Sequence, residues 1–130
     1  TWLISQMRTL QQYTFVCAPT PLQWGVIPAF DIDSSEQVAA YQLRRDAVMN
    51  ALSPHTNIVS PGGAFYAFFE VPNHLGMTDE EFVRRAAEER VLLVPGSVFS
   101  GRNTHVRLSF ATDNAKLHEG LEIIARLLRG

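Results

Sequence analysis

The chain has 130 residues, of which 46% are hydrophobic and 18% charged, and its net charge is −2 at pH 7. This length suits one domain, and the composition excludes disordered, collagen-like and coiled-coil proteins. The charge balance shows no electrostatic footprint for nucleic acid, and no apolar run approaches the roughly 18 residues of a membrane span. The single cysteine, Cys17, excludes an internal disulfide and fits a reducing compartment, so we expect a cytoplasmic protein.

The first 30 residues predict two helices. Over residues 1–16, apolar side chains recur three and four positions apart, which is the period of an amphipathic helix. They are Leu3, Ile4, Met7 and Leu10. Pro19 and Pro21 break this helix because proline lacks a backbone N–H. Residues 22–30 are predicted to be helical and mostly buried, with a kink or an end at Pro28. The chain lacks an initiator methionine and is predicted to begin inside a helix, so we expect a fragment of a longer protein.

Three further helices are predicted, two of them from capping boxes, in which two side chains bind each other's free backbone N–H groups. Ser34 with Gln37 opens a helix over 34–52, and Thr78 with Glu81 opens one over 78–89. Their core-facing stripes are Val38, Tyr41, Val48 and Leu52 in the first, and Phe82, Val83, Ala86 and Ala87 in the second. The last helix covers 114–129, with its stripe at Leu117, Leu121, Ile124 and Leu128.

Four short segments between these helices are predicted to be strands. They are residues 57–60, 64–71, 91–94 and 104–110. Residues 61–63, Pro-Gly-Gly, form a turn, and they match no phosphate-binding glycine pattern. Helices and strands mix without a repeated βαβ unit. We therefore expect residues 1–130 to form a single α+β domain, a two-layer sandwich of helices on a small, mainly antiparallel sheet.

The strand over 104–110 holds the first candidate site residue. Successive side chains point to opposite faces of a strand. The apolar face is Val106, Leu108 and Phe110, and the polar face is His105, Arg107 and Ser109. An arginine in the middle of a strand presents a planar fork that can bind a carboxylate with two hydrogen bonds. An exposed arginine in a surface ion pair is the more common case and stays open as the alternative.

The second candidate is the loop over residues 95–101. Pro95, Gly96 and Gly101 frame one aromatic side chain, Phe99. Such a loop lets the backbone approach a ligand closely, with Phe99 as a wall of the site. The alternative is a plain connection with Phe99 in the core.

Other chemistry has weaker support in the sequence. The four histidines and Cys17 lack the spacing of metal ligands, so no metal is expected. His105, Ser109 and Asp113 are the residue types of a catalytic triad, but nothing beyond residue type supports one. Lys116, the only lysine, starts a helix and is expected to be solvated rather than nucleophilic.

Three stretches, taken together, resemble a known family. They are APTPLQWG at 18–25, PGGAFYAF at 61–68 and VLLVPGSVFSGRNTHVRLSFA at 91–111. In their order and spacing they resemble the small, C-terminal domain of class I/II aminotransferases, fold type I enzymes that include aspartate aminotransferase and use pyridoxal 5′-phosphate. The resemblance covers nearly the whole chain. The sequence departs from the usual pattern at Ser100, where the family often has glycine.

The resemblance implies roles for particular residues. Arg107 takes the position of the arginine that binds the substrate α-carboxylate. Phe99 lies in the loop that closes over the substrate, and Pro95, Gly96 and Gly101 shape that loop. Residues 1–17 correspond to the end of the helix that joins the two domains. The implied partners are an amino acid, a 2-oxo acid, the chain's own large domain and a second subunit in a homodimer.

The resemblance also implies what these 130 residues lack. In the family, the lysine that forms a Schiff base with the cofactor, the aspartate at the pyridine nitrogen and most phosphate ligands lie upstream in the large domain. We therefore expect no catalytic or cofactor-binding residue in this chain and no activity from it alone. Two alternatives stay open: a free-standing α+β carboxylate-binding or regulatory module, and another fold type I enzyme such as a lyase or decarboxylase.

Overall fold

A computed structural model describes residues 2–130, and the chain divides into two compact units, one ending at Ser34 and one covering Ser35–Gly130. The first unit contains helix α1 at Trp2–Thr14, helix α2 at Thr20–Val26 and a 3-10 turn at Ile27–Asp31. Both predicted helices of this segment are therefore confirmed. The predicted start of the first helix at Thr1 lies outside the described residues.

The predicted burial of residues 22–30 is wrong. No residue of α1, of α2 or of the following 3-10 turn is buried, and Trp24 and Phe30 are 70% and 84% exposed. The α-helix ends at Val26, and Pro28 lies in the 3-10 turn. The apolar pattern identified side chains that a larger surface could cover, but these short helices enclose no core of their own. Periodicity thus indicated the apolar face without showing what covers it.

The second unit has the predicted α+β composition. Its helices are α3 at Ser35–Leu52, α4 at Asp79–Glu88 and α5 at Asn114–Arg129. Its strands are β1 at Tyr66–Glu70, β2 at Val94–Pro95 and β3 at His105–Ser109, with 3-10 turns at Asn73–Leu75 and Gly96–Val98. The capping box at Thr78 and Glu81 is confirmed, since each side chain accepts the other residue's backbone N–H. The box at Ser34 and Gln37 stays a prediction.

The strands form one antiparallel sheet in the order β1-β3-β2. Arg107 in β3 lies opposite Phe68 of β1 and Val94 of β2. The strand predicted over 91–94 was placed too early, because Val91 and Leu93 are buried without pairing and the ladder begins at Val94. Pro95 fits this strand because an edge strand tolerates a residue without an N–H.

The strand predicted over 57–60 is also wrong. Within residues 2–130, this segment forms only an isolated bridge between Ile58 and Phe69. Val59 is exposed, so the segment leaves the sheet after that bridge. The described part of the chain therefore has three strands where four were predicted.

The core lies between the inner face of the sheet and helices α3, α4 and α5. Phe69 of β1 meets Phe82 of α4 edge to face, with ring centroids 6.2 Å apart. The predicted core faces of β3 and α5 are confirmed, with all of their residues buried. Two predicted core positions are wrong: Val38 is 52% exposed, and Ala87 is exposed. On α4 the third core position, beside Phe82 and Ala86, belongs instead to Asp79.

Gly96 occupies the tightest position in the sheet region. A Cβ atom there would lie 2.5 Å from the carbonyl oxygen of His105 and 3.0 Å from Phe68 Cζ. Real Cβ atoms do not approach backbone oxygens so closely, so any side chain at this position must push the chain away from β3. Glycine is thus required here for space.

We expect Gly96→Ala to destabilise the protein by about 1–3 kcal/mol, the usual cost of overpacking a close contact. Gly101→Ala is the matched control, because a Cβ atom at Gly101 meets nothing within 4 Å. Thermal or urea unfolding of both variants measures the difference. Equal stability of the two variants would contradict the close approach at Gly96.

Candidate functional site

The guanidinium group of Arg107 lies between two aromatic rings. Its Cζ atom is 4.3 Å from the centroid of Tyr66 and 4.4 Å from that of Phe99. Strand β1 supplies Tyr66, and the loop after the 3-10 turn at Gly96–Val98 supplies Phe99. A cation held over an aromatic face gains about 0.5–2 kcal/mol, depending on its exposure. Two such faces restrict the position of the guanidinium plane before any ligand arrives.

Arg107 has no acidic partner in the described part of the chain. The salt bridges among residues 2–130 join Arg45 with Asp46, Lys116 with Asp113 and Arg126 with Glu89. The alternative considered for Arg107, an ordinary surface ion pair, is therefore not formed by these residues. A guanidinium that is held by rings and lacks an internal carboxylate can pair with an external one through two parallel N–H···O bonds.

Phe99 lies on Arg107 and not in the core. Its side chain is 51% exposed, which excludes the alternative of a plain connection with Phe99 packed inside. The backbone N–H groups of Phe99 and Ser100 both donate to Gly96 O, at 2.8 and 3.1 Å. Ser100 fits this turn because its Oγ accepts the N–H of Arg102 at 3.2 Å. The structure thus brings Phe99 onto Arg107, with Gly96 at the start of the turn that carries Phe99.

Asp79 lies close to the candidate site, but it was not among the residues predicted from the sequence. It is fully buried, and its Oδ2 accepts the backbone N–H of Ser97 at 2.8 Å. Burial alone would raise the pKa of this carboxyl, but hydrogen bonds from the Ser97 N–H and hydroxyl outweigh it and lower the pKa. The available signal was its position in the first turn of α4, on the same helix face as Phe82 and Ala86.

The candidate triad does not form. Nδ1 of His105 lies 2.9 Å from Thr104 Oγ1, and its ring stacks on Phe68 with centroids 5.1 Å apart. Ser109 accepts the N–H of Ala111, and Asp113 caps α5 by accepting the N–H of Lys116. These side chains are therefore engaged in separate local contacts. His105 and Phe68 instead line a cleft of about 420 Å³ together with Tyr66, whose ring also contacts Arg107.

The described residues offer no place for a pyridoxal cofactor to be covalently held. The sole lysine, Lys116, lies in the first turn of α5, where its Nζ is 3.7 Å from Asp113 Oδ2 and the side chain is mostly exposed. A nucleophilic lysine is usually buried or next to another cation, whereas Lys116 is exposed and lies beside a carboxylate. Across residues 2–130, no group of three or more His, Cys, Asp or Glu side chains could hold a metal ion.

No helix in the described residues is both long and apolar enough to cross a membrane.

Comparison with known proteins shows what the chain is similar to. A probable aspartate aminotransferase of Methanocaldococcus jannaschii is 32% identical over 96% of this chain and 34% of its own length. The crystal structure of the Thermotoga maritima aspartate aminotransferase superposes with a TM-score of 0.80 at 36% identity, over 94% of this chain and 32% of that one. The crystal structure of an aromatic aminotransferase of Pyrococcus horikoshii superposes with a TM-score of 0.78 at 32% sequence identity. The match covers 98% of this chain and 36% of that one. These relatives and structural neighbours are aspartate and aromatic aminotransferases, and their similarity along nearly the whole chain is consistent with the small domain of a fold type I aminotransferase.

The chain spans about a third of the length of the curated relatives that it matches. No model of a protein family matches it. The resemblance based on three sequence stretches is thus confirmed by relatives that align with nearly all of the chain. The α+β sandwich with a small antiparallel sheet is confirmed as well.

We expect the folded chain to lose stability in acid. The pKa values of Asp79, Glu81 and Asp113 are all lowered in the folded state, chiefly by hydrogen bonds from backbone N–H groups. A lowered pKa means that each group stabilises the fold above its unfolded pKa of about 4. This contribution disappears as the pH falls through the lower, folded pKa. Urea unfolding at several pH values between 7 and 2 measures the loss.

The Asp113→Asn variant is the comparison for this measurement, since it removes one of the three titrating groups. Its stability should fall less steeply with pH than that of the wild type. Wild-type stability that stays constant or rises between pH 5 and pH 2 would contradict the expectation.

Proposed function

We propose that the protein carrying this chain is a pyridoxal-phosphate-dependent aminotransferase that moves an amino group from an amino acid to a 2-oxo acid. In this proposal the chain is the small domain, and Arg107 binds the α-carboxylate of both substrates. The observation that carries it is the guanidinium held between Tyr66 and Phe99 without an internal acidic partner. Aminotransferase relatives along nearly the whole chain support it.

An arginine suits this task because the α-carboxylate is the one charged group that every amino acid and every 2-oxo acid share. Two parallel hydrogen bonds from a guanidinium fix the plane of a carboxylate as well as its position. The neighbouring Cα, where bonds must break, is then oriented by the same contact. Because the rings restrict Arg107 in advance, little additional ordering is needed when the substrate binds.

Phe99 would shield the bound carboxylate from water. An apolar ring over an ion pair lowers the local dielectric constant and strengthens the attraction between the two charges. The loop that carries Phe99 is exposed, and a loop of this kind can close over a bound substrate. We therefore assign Pro95, Gly96 and Gly101 to shaping the loop, and Phe99 to covering the carboxylate.

Pyridoxal phosphate, when bound, supplies the electron sink that makes amino-group transfer feasible. The environment of Lys116 does not fit its attachment, so the lysine and most other cofactor contacts would come from a large domain outside these 130 residues. A second subunit, in a homodimer, would complete the substrate site. The isolated chain would then bind substrate weakly at most and catalyse nothing.

The first test is Arg107→Gln in the full-length protein. Removing one partner of a charge pair in a closed site costs about 2–5 kcal/mol, so we expect kcat/KM to fall by about 30-fold to 4,000-fold. Arg107→Lys keeps the charge but not the fork and should recover only part of the loss. Arg84→Gln, on the exposed face of α4, is the matched control and should leave turnover unchanged. Wild-type turnover in Arg107→Gln would refute the proposed role.

The second test follows the absorbance of the full-length protein with pyridoxal phosphate while amino acids are added one at a time. We expect one or more to convert the cofactor from the pyridoxal to the pyridoxamine form, as amino transfer requires. The panel should include aspartate and aromatic amino acids, because the relatives are named for these substrates. Release of carbon dioxide or of a side-chain fragment would instead indicate a decarboxylase or a lyase.

Titration of the chain alone with millimolar amino acids and 2-oxo acids completes this test. A flat calorimetric trace fits a domain that needs the rest of an enzyme. Clear binding heat, combined with no cofactor response in the full-length protein, would favour a free-standing carboxylate-binding module.

A further inference from the structure

The loop that carries Phe99 is closed at its base by a single residue. Asp79 accepts the backbone N–H of Ser97 through Oδ2 at 2.8 Å, near the start of the loop. The backbone N–H of Asp79 donates to the carbonyl oxygen of Asn103 at 3.0 Å, near the loop's end. The two bonds hold both ends of residues 97–103 on the first turn of α4.

Asp79 is well suited to holding this backbone firmly. It is fully buried, beside core residues Phe82 and Ala86 on α4, so its side chain has little freedom to move. An ionised carboxylate accepts a stronger hydrogen bond from an N–H than a neutral oxygen does. The acidic first turn of the helix is also where the helix dipole favours a negative charge.

A short path joins this contact to the arginine. Ser97 lies in the 3-10 turn at Gly96–Val98, and Phe99 follows directly, with its N–H bonded to Gly96 O at 2.8 Å. Gly96 is itself packed against the carbonyl of His105 in β3, two residues from Arg107. The position of the Phe99 ring over Arg107 is therefore set by the turn that Asp79 holds.

We propose that Asp79 is a positioning residue for the carboxylate site, because it clamps the loop base and so keeps Phe99 on the guanidinium of Arg107. This inference rests on the proposed role of Arg107. Asp79 touches no substrate. It acts only through Ser97 and Phe99.

Loss of the clamp should weaken carboxylate binding and spare the later steps. Arg107 stays in its strand, so its charge remains in place, but one of its two aromatic faces is lost. A cation–π contact of about 0.5–2 kcal/mol corresponds to a rise in KM of about 2-fold to 30-fold, with kcat nearly unchanged. Asp79→Asn retains an oxygen that accepts the Ser97 N–H and should keep KM close to that of the wild type.

The experiment measures KM and kcat of the full-length protein with an amino acid that it turns over. Asp79→Ala, Asp79→Asn, Phe99→Ala and the double variant Asp79→Ala/Phe99→Ala are compared. Asp79→Ser serves where Asp79→Ala does not fold, since its oxygen is one bond too short to reach Ser97. Asp113→Ala is the matched control, because this carboxylate also accepts a backbone N–H at a helix start, from Lys116 at 2.9 Å, away from the loop.

We expect KM to rise in Asp79→Ala but not in Asp113→Ala, and the double variant to match Phe99→Ala alone. Additive effects of the two substitutions, an unchanged KM in Asp79→Ala, or a loss confined to kcat would each overturn the clamp. Wild-type kinetics in Arg107→Gln would instead overturn the carboxylate site itself. The two failures are therefore distinguishable.

Discussion

The pairing of β3 between two antiparallel neighbours is the constraint on which the rest of the second unit depends. As the central strand, β3 has both edges bonded, so its side chains are fixed in their alternation between the two faces. One face places Val106 and Leu108 in the core. The other face carries Arg107, which lies opposite Phe68 of β1 and Val94 of β2. Core and site are thus two faces of one strand, and neither can shift register without the other.

The same pairing explains the tight approach at Gly96. Strand β2 is an edge strand of two residues, and the chain turns away from the sheet directly after Pro95. To bring Phe99 back over Arg107 in so few residues, the backbone at Gly96 must pass against the carbonyl of His105. The packing that places the aromatic cover therefore depends on a residue without a side chain. Asp79 also holds this turn, by accepting the N–H of Ser97.

Local sequence patterns predicted the parts of the fold that local forces determine. The strand over 104–110 alternates cleanly, helix α5 begins and ends where its pattern does, and the capping box at Thr78 is present. The chemistry of the lone strand arginine allowed carboxylate binding, and the family resemblance implied it. Each of these predictions depends on residues close together in the chain.

The failures all involve partners distant in sequence. The exposure of residues 22–30 depends on what surrounds a helix, and the late start of β2 depends on where β3 offers backbone groups. Asp79 looks like an ordinary helix-start carboxylate until the fold brings Ser97 to it. Likewise, the ring contacts of Arg107 join Tyr66 and Phe99, which are 33 positions apart in the chain. No spacing rule predicts such a contact.

The arrangement also bears on how one domain can serve different substrates. Every amino acid and every 2-oxo acid carries the same carboxylate, and the groups that would hold it here are a guanidinium and two rings. Nothing in that contact distinguishes an acidic from an aromatic side chain.

Relatives named for aspartate and for aromatic substrates align with this chain to a similar extent. A domain that recognises only the shared group can stay constant while residues elsewhere set specificity. Sequence changes in the loop that carries Phe99 would then alter the geometry of the carboxylate contact.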